Sequence, residues 1–296
     1  MDAPTPVSDP TVSEVLNGYT QERTQAPHSR ALEYSCKAIE RHLGDLPVRL
    51  LGRAQVAQYI AARRKEGPGG ASARHRTAPK PLSDGTLIRE LGVLRRAAQW
   101  AVEEGWIATA PKIERPPAPP PRERWLTHQE AEKLLAAAQA AHIKVFIALA
   151  LWTAARTTAL LELTWDRVDL DGRVISLGAG RGRKRRATVP IVDDLHEVLT
   201  PAHAAATSSF VVEFAGAPVA SIKTGFRAAA ARAGLKDVTP TVCRHTAATW
   251  MVQRGISTAM VARWLGNTEA MIEKVYGHHS PEYLAQASRA LTLRRA

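Results

Sequence analysis

Two cysteines in 296 residues, Cys36 and Cys243, stand apart from each other and from any Cys/His ligand spacing. Neither a disulfide framework nor a zinc module can be built on that basis, and both thiols are expected to be small buried side chains. The chain also has no uninterrupted apolar run long enough to span a bilayer. Its first residues, Met1-Asp-Ala-Pro-Thr-Pro6, lack the basic region and apolar core of a signal peptide, so a cytoplasmic setting is expected. No G-x-x-x-x-G-K-S/T or G-x-G-x-x-G follows a strand pattern, which argues against ATP or a dinucleotide; neither a cofactor nor a metal is expected. Acidic residues are the remaining shortage. Against 40 Lys and Arg there are 28 Asp and Glu, a formal +12 that calls for a polyanionic partner. Charge alone fits DNA, RNA or an acidic membrane surface, but the missing span disfavours the last.

The length leaves room for two domains with sizeable cores. Residues 1–10, rich in Pro, Ser and Thr, read as a disordered arm. From Thr11 the pattern turns helical: Thr11-Val-Ser-Glu14 has the form of a capping box, and Val12, Val15, Leu16 and Tyr19 make one apolar face. Further helices are predicted around Leu32–Leu43 and Val56–Ile60. A Gly/Pro-rich basic loop follows, from Lys65 to Pro81. Ser83-Asp-Gly-Thr86 opens the best helix of this half, with Leu87, Leu91, Leu94, Ala98 and Ala101 on one face and Arg89, Arg95 and Arg96 off it. Such a helix can lie across phosphates. A solvated charged face is the commoner explanation for any single such helix, so the residues alone give only a helical domain over 11–110.

Between Pro111 and Arg124 fall six of the chain's 19 prolines, which predicts a stiff extended linker over residues 111–124. About ten such residues at roughly 3.1 Å each cover some 30 Å, enough to pass around a duplex. Residues 125–296 form the second domain. It opens on a second capping box, Thr127-His-Gln-Glu130, with a helix through Ala140, followed by a strongly apolar helix from Ile143 to Trp152. Short β-type runs at Arg173–Leu177 and Ala187–Ile191 flank a hairpin tip carrying Arg181, Arg183, Lys184, Arg185 and Arg186, and Phe210–Phe214 is a third strand candidate. From Ser221 onward the pattern is helical, with turns at Gly234, Gly255, Gly266 and Gly277. The fold class is mainly α with a small antiparallel sheet (α+β).

The second domain is organised around Val238-Thr-Pro-Thr-Val-Cys-Arg-His-Thr-Ala-Ala-Thr-Trp250. Thr239 is suited to cap its helix and Pro240 to the first helical position. Val242, Thr246, Thr249 and Val252 recur at helical spacing, so Arg244 lies on another line. Upstream is Arg156, just after the apolar helix. Downstream are Trp264-Leu-Gly-Asn267 and, nine residues beyond Asn267, Tyr276.

Arg156, a basic hairpin, Arg244-His-Thr, Trp264-Leu-Gly and Tyr276, in this order and spacing, resemble the tyrosine recombinases, or phage-type integrases, over essentially the whole chain. The resemblance implies that residues 11–110 are a core-binding, DNA-binding domain and 125–296 a catalytic domain, acting on double-stranded DNA as a tetramer. It also implies that Tyr276 attacks a phosphodiester to form a 3′-phosphotyrosyl link while Arg156 and Arg244 hold the phosphate. Guanidinium forks suit that task, being bidentate and permanently charged. Lys184, the only Lys in the hairpin, matches the acid that protonates the leaving oxygen when the tip is aligned on Lys-Arg-Arg. Counting back from Val189-Pro190 instead puts that position at Gly182, and Lys184 then joins Arg181, Arg183, Arg185 and Arg186 as a backbone-contacting cation. The last helix, Pro281–Ala296, is expected to dock on a neighbouring subunit.

Three positions depart from the resembled pattern. Thr241 stands where His is usual, Asn267 where His or Trp is usual, and Ala159 where an acidic residue often follows the first Arg. Loss of an acid–base group typically removes about 10²- to 10⁴-fold in rate. Asn267 still offers a hydrogen-bond donor, and His278 and His279, just after Tyr276, are candidates to compensate. Three readings follow: an active recombinase impaired at Thr241 and Asn267, a decayed relative that only binds DNA, and a topoisomerase-like relaxing enzyme, the last weakened by the two-domain layout.

Overall fold

The structure is a computed structural model that describes residues 9–22, 30–67, 81–119, 124–178 and 187–279. The chain divides into two compact units, residues 1–120 and 121–296. No described helix is long and apolar enough to cross a membrane.

The first unit is built from α1 (Val12–Glu22), α2 (Arg30–Leu43), α3 (Arg53–Glu66) and α4 (Asp84–Glu103). Thr11 and Glu14 close the capping box at the start of α1: the Thr11 amide donates to Glu14 Oε2 at 2.8 Å and the Glu14 amide to Thr11 Oγ1 at 3.2 Å. Asp9 and Pro10, expected within a disordered arm, join the fold. Pro10 is buried and its carbonyl accepts from the Val48 amide at 2.9 Å, because Thr11 bridges Pro47. The core takes Val12, Leu16, Ile39, Val56, Leu87, Leu91 and Leu94 from the four helices. Residues 111–119 form neither helix nor strand, and within this predicted linker Ile113 is buried in the same core. Residues 120–123, and 68–80 of the basic loop, lie outside the described residues.

A charged group also enters this core, which periodicity alone does not announce. Glu90 lies on the packed face of α4 and is 3% exposed. Its carboxylate accepts from Tyr59 Oη at 2.7 Å and from Arg63 Nη2 at 2.7 Å and Nε at 3.2 Å. Arg63 also reaches Glu66 at 2.5 Å. The hydrogen bond to Glu90 holds the Arg63 guanidinium well above its ordinary range. Breaking a buried pair leaves an uncompensated charge in a medium that solvates it poorly. Glu90→Ala should therefore lower stability by about 3–5 kcal/mol in denaturant unfolding. The double variant Arg63→Met with Glu90→Leu should cost far less, and equal destabilisation of the two proteins would show that the pair is not what matters.

The second unit is centred on α6 (Ala141–Trp152), whose residues Val145 through Leu151 are all buried. A helix apolar on every side needs neighbours on every side, and α6 has them in α5 (His128–Ala136), α7 (Thr157–Leu161), α8 (Asp193–Ala204), α9 (Lys223–Arg232) and α10 (Pro240–Gln253). Gly225 permits the approach of α9, since a Cβ there would sit 2.2 Å from Ile143 Cδ1. Helix α5 stops at Ala136 rather than running to Ala140. The Ala-rich stretch favours helix, but the chain must turn there for α6 to pack back against α5, and tertiary packing overrides propensity.

Strands β1 (Val168–Asp169), β2 (Val174–Ser176) and β3 (Thr188–Pro190) form an antiparallel sheet in that order, with Ile175 opposite Val189 on the buried face. At two residues, β1 is too short to carry an alternating pattern. Between β2 and β3 fall residues 179–186, with Arg181, Arg183, Lys184, Arg185 and Arg186, all outside the described residues. The predicted strand Phe210–Phe214 is reduced to β4 (Glu213–Phe214), which pairs with β5 (Ala217–Pro218). The two-residue turn at Ala215 and Gly216, with φ of 50° and 74°, sends the chain back at once, and Val211 and Val212 go to the core instead. After α10 come α11 (Thr258–Leu265), α12 (Glu269–Tyr276) and a single 3₁₀ turn, Gly277–His279. Gly277 keeps helical dihedrals, φ −54° and ψ −36°, so the turn expected there is a continuation of the coil. The expected last helix, Pro281–Ala296, falls outside the described residues.

Candidate active site

Helix α10 begins as its sequence requires, with Pro240 at the first turn and Thr239 extended before it, although the Thr239 side chain makes no capping bond. The buried line Val242, Thr246, Thr249 and Val252 faces the core. Thr246 and Trp250 tie this helix to the start of the unit. Thr246 Oγ1 accepts from the Leu126 amide at 2.9 Å, and Trp250 Nε1 donates to the Leu126 carbonyl at 3.0 Å. Cys243 is fully buried, which pushes its thiol up to about 12 and keeps it out of the chemistry.

On its other line α10 carries Arg244, whose donors are fixed by three oxygens. Nη1 donates to the Ala154 carbonyl at 2.6 Å, and Nη2 to the Leu265 carbonyl at 2.8 Å and to Asn267 Oδ1 at 3.3 Å. The same Asn267 oxygen accepts from Arg156 Nη2 at 2.9 Å. Arg156 stands in extended conformation just before α7. Two local features aim these acceptors. Ala154 is buried with φ 54°, a left-handed conformation that costs a residue with a Cβ about 1–2 kcal/mol. Gly266, with φ 62°, ends α11 and turns the chain into Asn267.

No carboxylate pairs with Arg156 or Arg244 among the described residues. Arginines donate and never accept, so the Asn267 oxygen must face both guanidinium groups, and only neutral oxygens surround Arg244. Burial first, and the nearby Arg156 second, bring the Arg244 guanidinium down to about 10. It remains charged at neutral pH. The result is a partly buried positive centre without a counter-ion among the described residues, in contrast to Arg63, which has two.

Tyr276, the last residue of α12, is 6% exposed and lies beside this centre. Burial raises its phenol above the ordinary range, and the Arg244 charge acts in the opposite sense. Its hydroxyl lies 2.6 Å from His245 Nδ1. Burial, then Arg244, hold the His245 imidazole below its usual range. Motif and periodicity do not single out His245. A signal is nevertheless there, because residues 241 and 245 are one helical turn apart on one line of α10. Neither His278 nor His279 takes that place: His278 is exposed, and His279 meets Trp125 edge to face at 6.3 Å.

Of the three departures, Asn267 is at the centre of the site, Ala159 is buried in the core of the unit, and Thr241 is exposed with no side-chain hydrogen bond among the described residues. In the first unit Arg89, Arg95 and Arg96 are all exposed on α4 and form no ion pair among the described residues.

The profile of the phage integrase family matches residues 124–282, more than half of the sequence and the whole of the site. The chain belongs to this family. Among its relatives is the integrase of Salmonella phage P22, 26% identical over 229 residues; that alignment takes in 72% of this chain but 59% of the relative, less than two thirds of its length. Another is the tyrosine recombinase XerC of Xylella fastidiosa strain M23, 26% identical over 270 residues and covering 86% of this chain and 88% of the relative. Two solved family structures share the fold. One is the Tn1549 transposon integrase in complex with circular intermediate DNA, with a TM-score of 0.76 at 17% identity over 94% of this chain and 99% of that one. The other is a lambda integrase dimer bound to a COC′ core site, with a TM-score of 0.70 at 19% identity over 90% and 77%.

The shared oxygen of Asn267 makes the site testable without a substrate. Asn267→Asp puts a carboxylate between two guanidinium groups and supplies the missing counter-ion. Thermal stability should rise by on the order of 1–3 kcal/mol, while the stabilisation that sulfate gives the unaltered protein should shrink. Unchanged stability and an unchanged sulfate response would mean that the two arginines do not act as one anion site.

Proposed function

We infer that the chain is a site-specific DNA recombinase that cuts and rejoins double-stranded DNA through a 3′-phosphotyrosyl intermediate. The observation that carries this reading is a positive centre with no counter-ion among the described residues, beside a buried tyrosine hydroxyl. Strand cleavage without metal or nucleotide needs a side-chain oxygen nucleophile and cations around the non-bridging oxygens. Tyr276 is the nucleophile. Arg156 and Arg244 take the phosphate: Arg244 uses three N–H bonds within the protein and Arg156 one, and with five donors on each guanidinium both keep some free. Asn267 holds the pair in register and leaves its Nδ2 to donate to the same phosphate. Lys184, in the hairpin between β2 and β3, is the candidate acid for the leaving 5′ oxygen.

The DNA is held chiefly through its backbone by the exposed Arg89, Arg95 and Arg96 of the helical core-binding unit and by the hairpin arginines. The active assembly is a tetramer on two duplexes, a reading supported by the lambda integrase tetramer bound to a Holliday junction, and its setting is the cytoplasm. A decayed relative that only binds DNA is not favoured, since both arginines and the tyrosine are present and the tyrosine has a basic partner.

A pool of nicked suicide duplexes with randomised arms tests the reading directly. Wild type should form a protein–DNA adduct stable to denaturing electrophoresis, sequencing of its DNA should return a defined site, and Tyr276→Phe should form none. Absence of an adduct with wild type across the pool, alongside tight DNA binding, would favour the binding-only alternative.

Salt dependence gives a second, independent check on the hairpin. Neutralising Arg181, Arg183, Arg185 and Arg186 together should shallow the slope of log K against log salt by about 0.9 for each phosphate that the protein no longer neutralises. An unchanged slope would mean that the hairpin does not touch the DNA backbone.

A further inference from the structure

We propose that His245 is the general base that takes the proton from Tyr276 as the tyrosine attacks phosphate. The proposal deepens the recombinase reading and rests on it. Its ground is geometric. The imidazole Nδ1 and the phenol oxygen are 2.6 Å apart, the reach required of a base on the proton it removes. Their rings are tilted at 48° with centroids 5.7 Å apart, so the contact is made edge to edge rather than by stacking.

The surroundings fix the imidazole in the state this task needs. Helix α10 packs on α6, α11, α12 and the 3₁₀ turn. Burial disfavours the charged imidazole first, and the adjacent cation, Arg244 on the same helix, disfavours a second positive charge as well. Lys144 on α6, Arg263 on α11, Glu269, Glu273 and Lys274 on α12 and His278 of the 3₁₀ turn are all exposed, and His279 of that turn meets Trp125. The neutral imidazole is therefore favoured, and with Nδ1 unprotonated it accepts from the Tyr276 hydroxyl. The phenol needs such a partner. Burial holds it in its protonated form, which is a poor nucleophile.

In cleavage, Tyr276 Oη forms a bond to phosphorus, and its proton passes to Nδ1. The P–O5′ bond breaks, its electron pair stays on the 5′ oxygen, and that oxygen takes a proton from a separate donor, water included. In rejoining, the 5′ hydroxyl returns its proton to the conjugate base of that donor as its oxygen bonds to phosphorus, the P–O bond to Tyr276 breaks, and the imidazolium returns its proton to the leaving Tyr276 oxygen. Thr241, one turn earlier on the same line of α10, has no proton to exchange near neutral pH. The placement of His245 thus makes a base at position 241 unnecessary for activating the nucleophile.

The test uses the full chain and the duplex recovered from its own adduct, in single-turnover cleavage across pH. Wild-type cleavage should fall as pH drops through the His245 titration, because the protonated imidazole cannot accept, and should level off above it. His245→Gln keeps a hydrogen bond to Tyr276 but cannot take its proton. It should cleave about 10²-fold or more slowly at neutral pH, with a rate that keeps rising roughly tenfold per pH unit as hydroxide replaces the base. His245→Ala should behave in the same way, and DNA affinity should be unchanged in both. A 5′-bridging phosphorothiolate substrate, whose sulfur leaves without a proton, should not relieve the defect. Near wild-type cleavage by His245→Gln, a variant profile that still levels off, or relief by the phosphorothiolate would each overturn the assignment. Failure of wild type itself to form an adduct would count against the recombinase reading instead, so the two failures are distinguishable.

Discussion

Two guanidinium groups share one amide oxygen, and much of the second unit is arranged to let them do so. Like charges brought together in a partly buried site repel, and nothing among the described residues neutralises them with a carboxylate. What holds them is a set of neutral oxygens: the carbonyls of Ala154 and Leu265 and the side chain of Asn267. Neutral acceptors orient a guanidinium without cancelling its charge. The first unit makes the opposite choice with Arg63, which is matched by Glu90 and Glu66 and is thereby a structural group. The same residue type is thus neutralised in one unit and left with its charge uncompensated among the described residues in the other, and the difference lies in the counter-ion.

Several features that look like imperfections serve this arrangement. Ala154 adopts a left-handed backbone that glycine would accept more readily, and its carbonyl meets Arg244. The segment around it is pinned: Thr153 Oγ1 bonds the Leu149 carbonyl at 2.6 Å, and Trp264 Nε1 bonds the Thr153 carbonyl at 3.1 Å. Local strain persists only where surrounding contacts over-determine it. Trp264 belongs to α11, so the helix that supplies Leu265 and leads into Asn267 also braces the turn that supplies Ala154. Arg244 is thereby held from two sides by elements that are themselves joined, a preorganisation suited to charge that develops in a transition state.

Periodicity and capping chemistry made most of the helical framework legible. The capping boxes at Thr11 and Thr127 form as read, because both partners lie within three residues and need no tertiary help. The apolar run before Arg156 is legible for a similar reason, since a helix apolar on all sides has to be central. Local signals failed where the chain answers to distant contacts. Helix α5 stops within an Ala-rich stretch to make room for α6, Phe210–Phe214 gives Val211 and Val212 to the core of the unit, and Glu90 sits on a buried face for the sake of Arg63. None of these is encoded within a window of a few residues.

The same division runs through the site. Sequence by itself determined the kinds of groups available, namely two arginines, a tyrosine at a helix end and a basic hairpin, because their order and spacing along the chain carry that information. It also determined that His and Trp are missing at positions 241 and 267. Tertiary structure alone decided what those substitutions mean. Asn267 is a shared acceptor between Arg156 and Arg244, more than a hundred residues from the former, and His245 meets Tyr276 across 31 residues. Hydrogen bonds depend on distances of a few ångströms, and only the packing of α10 against α6, α11 and α12 brings such separations in sequence down to that range.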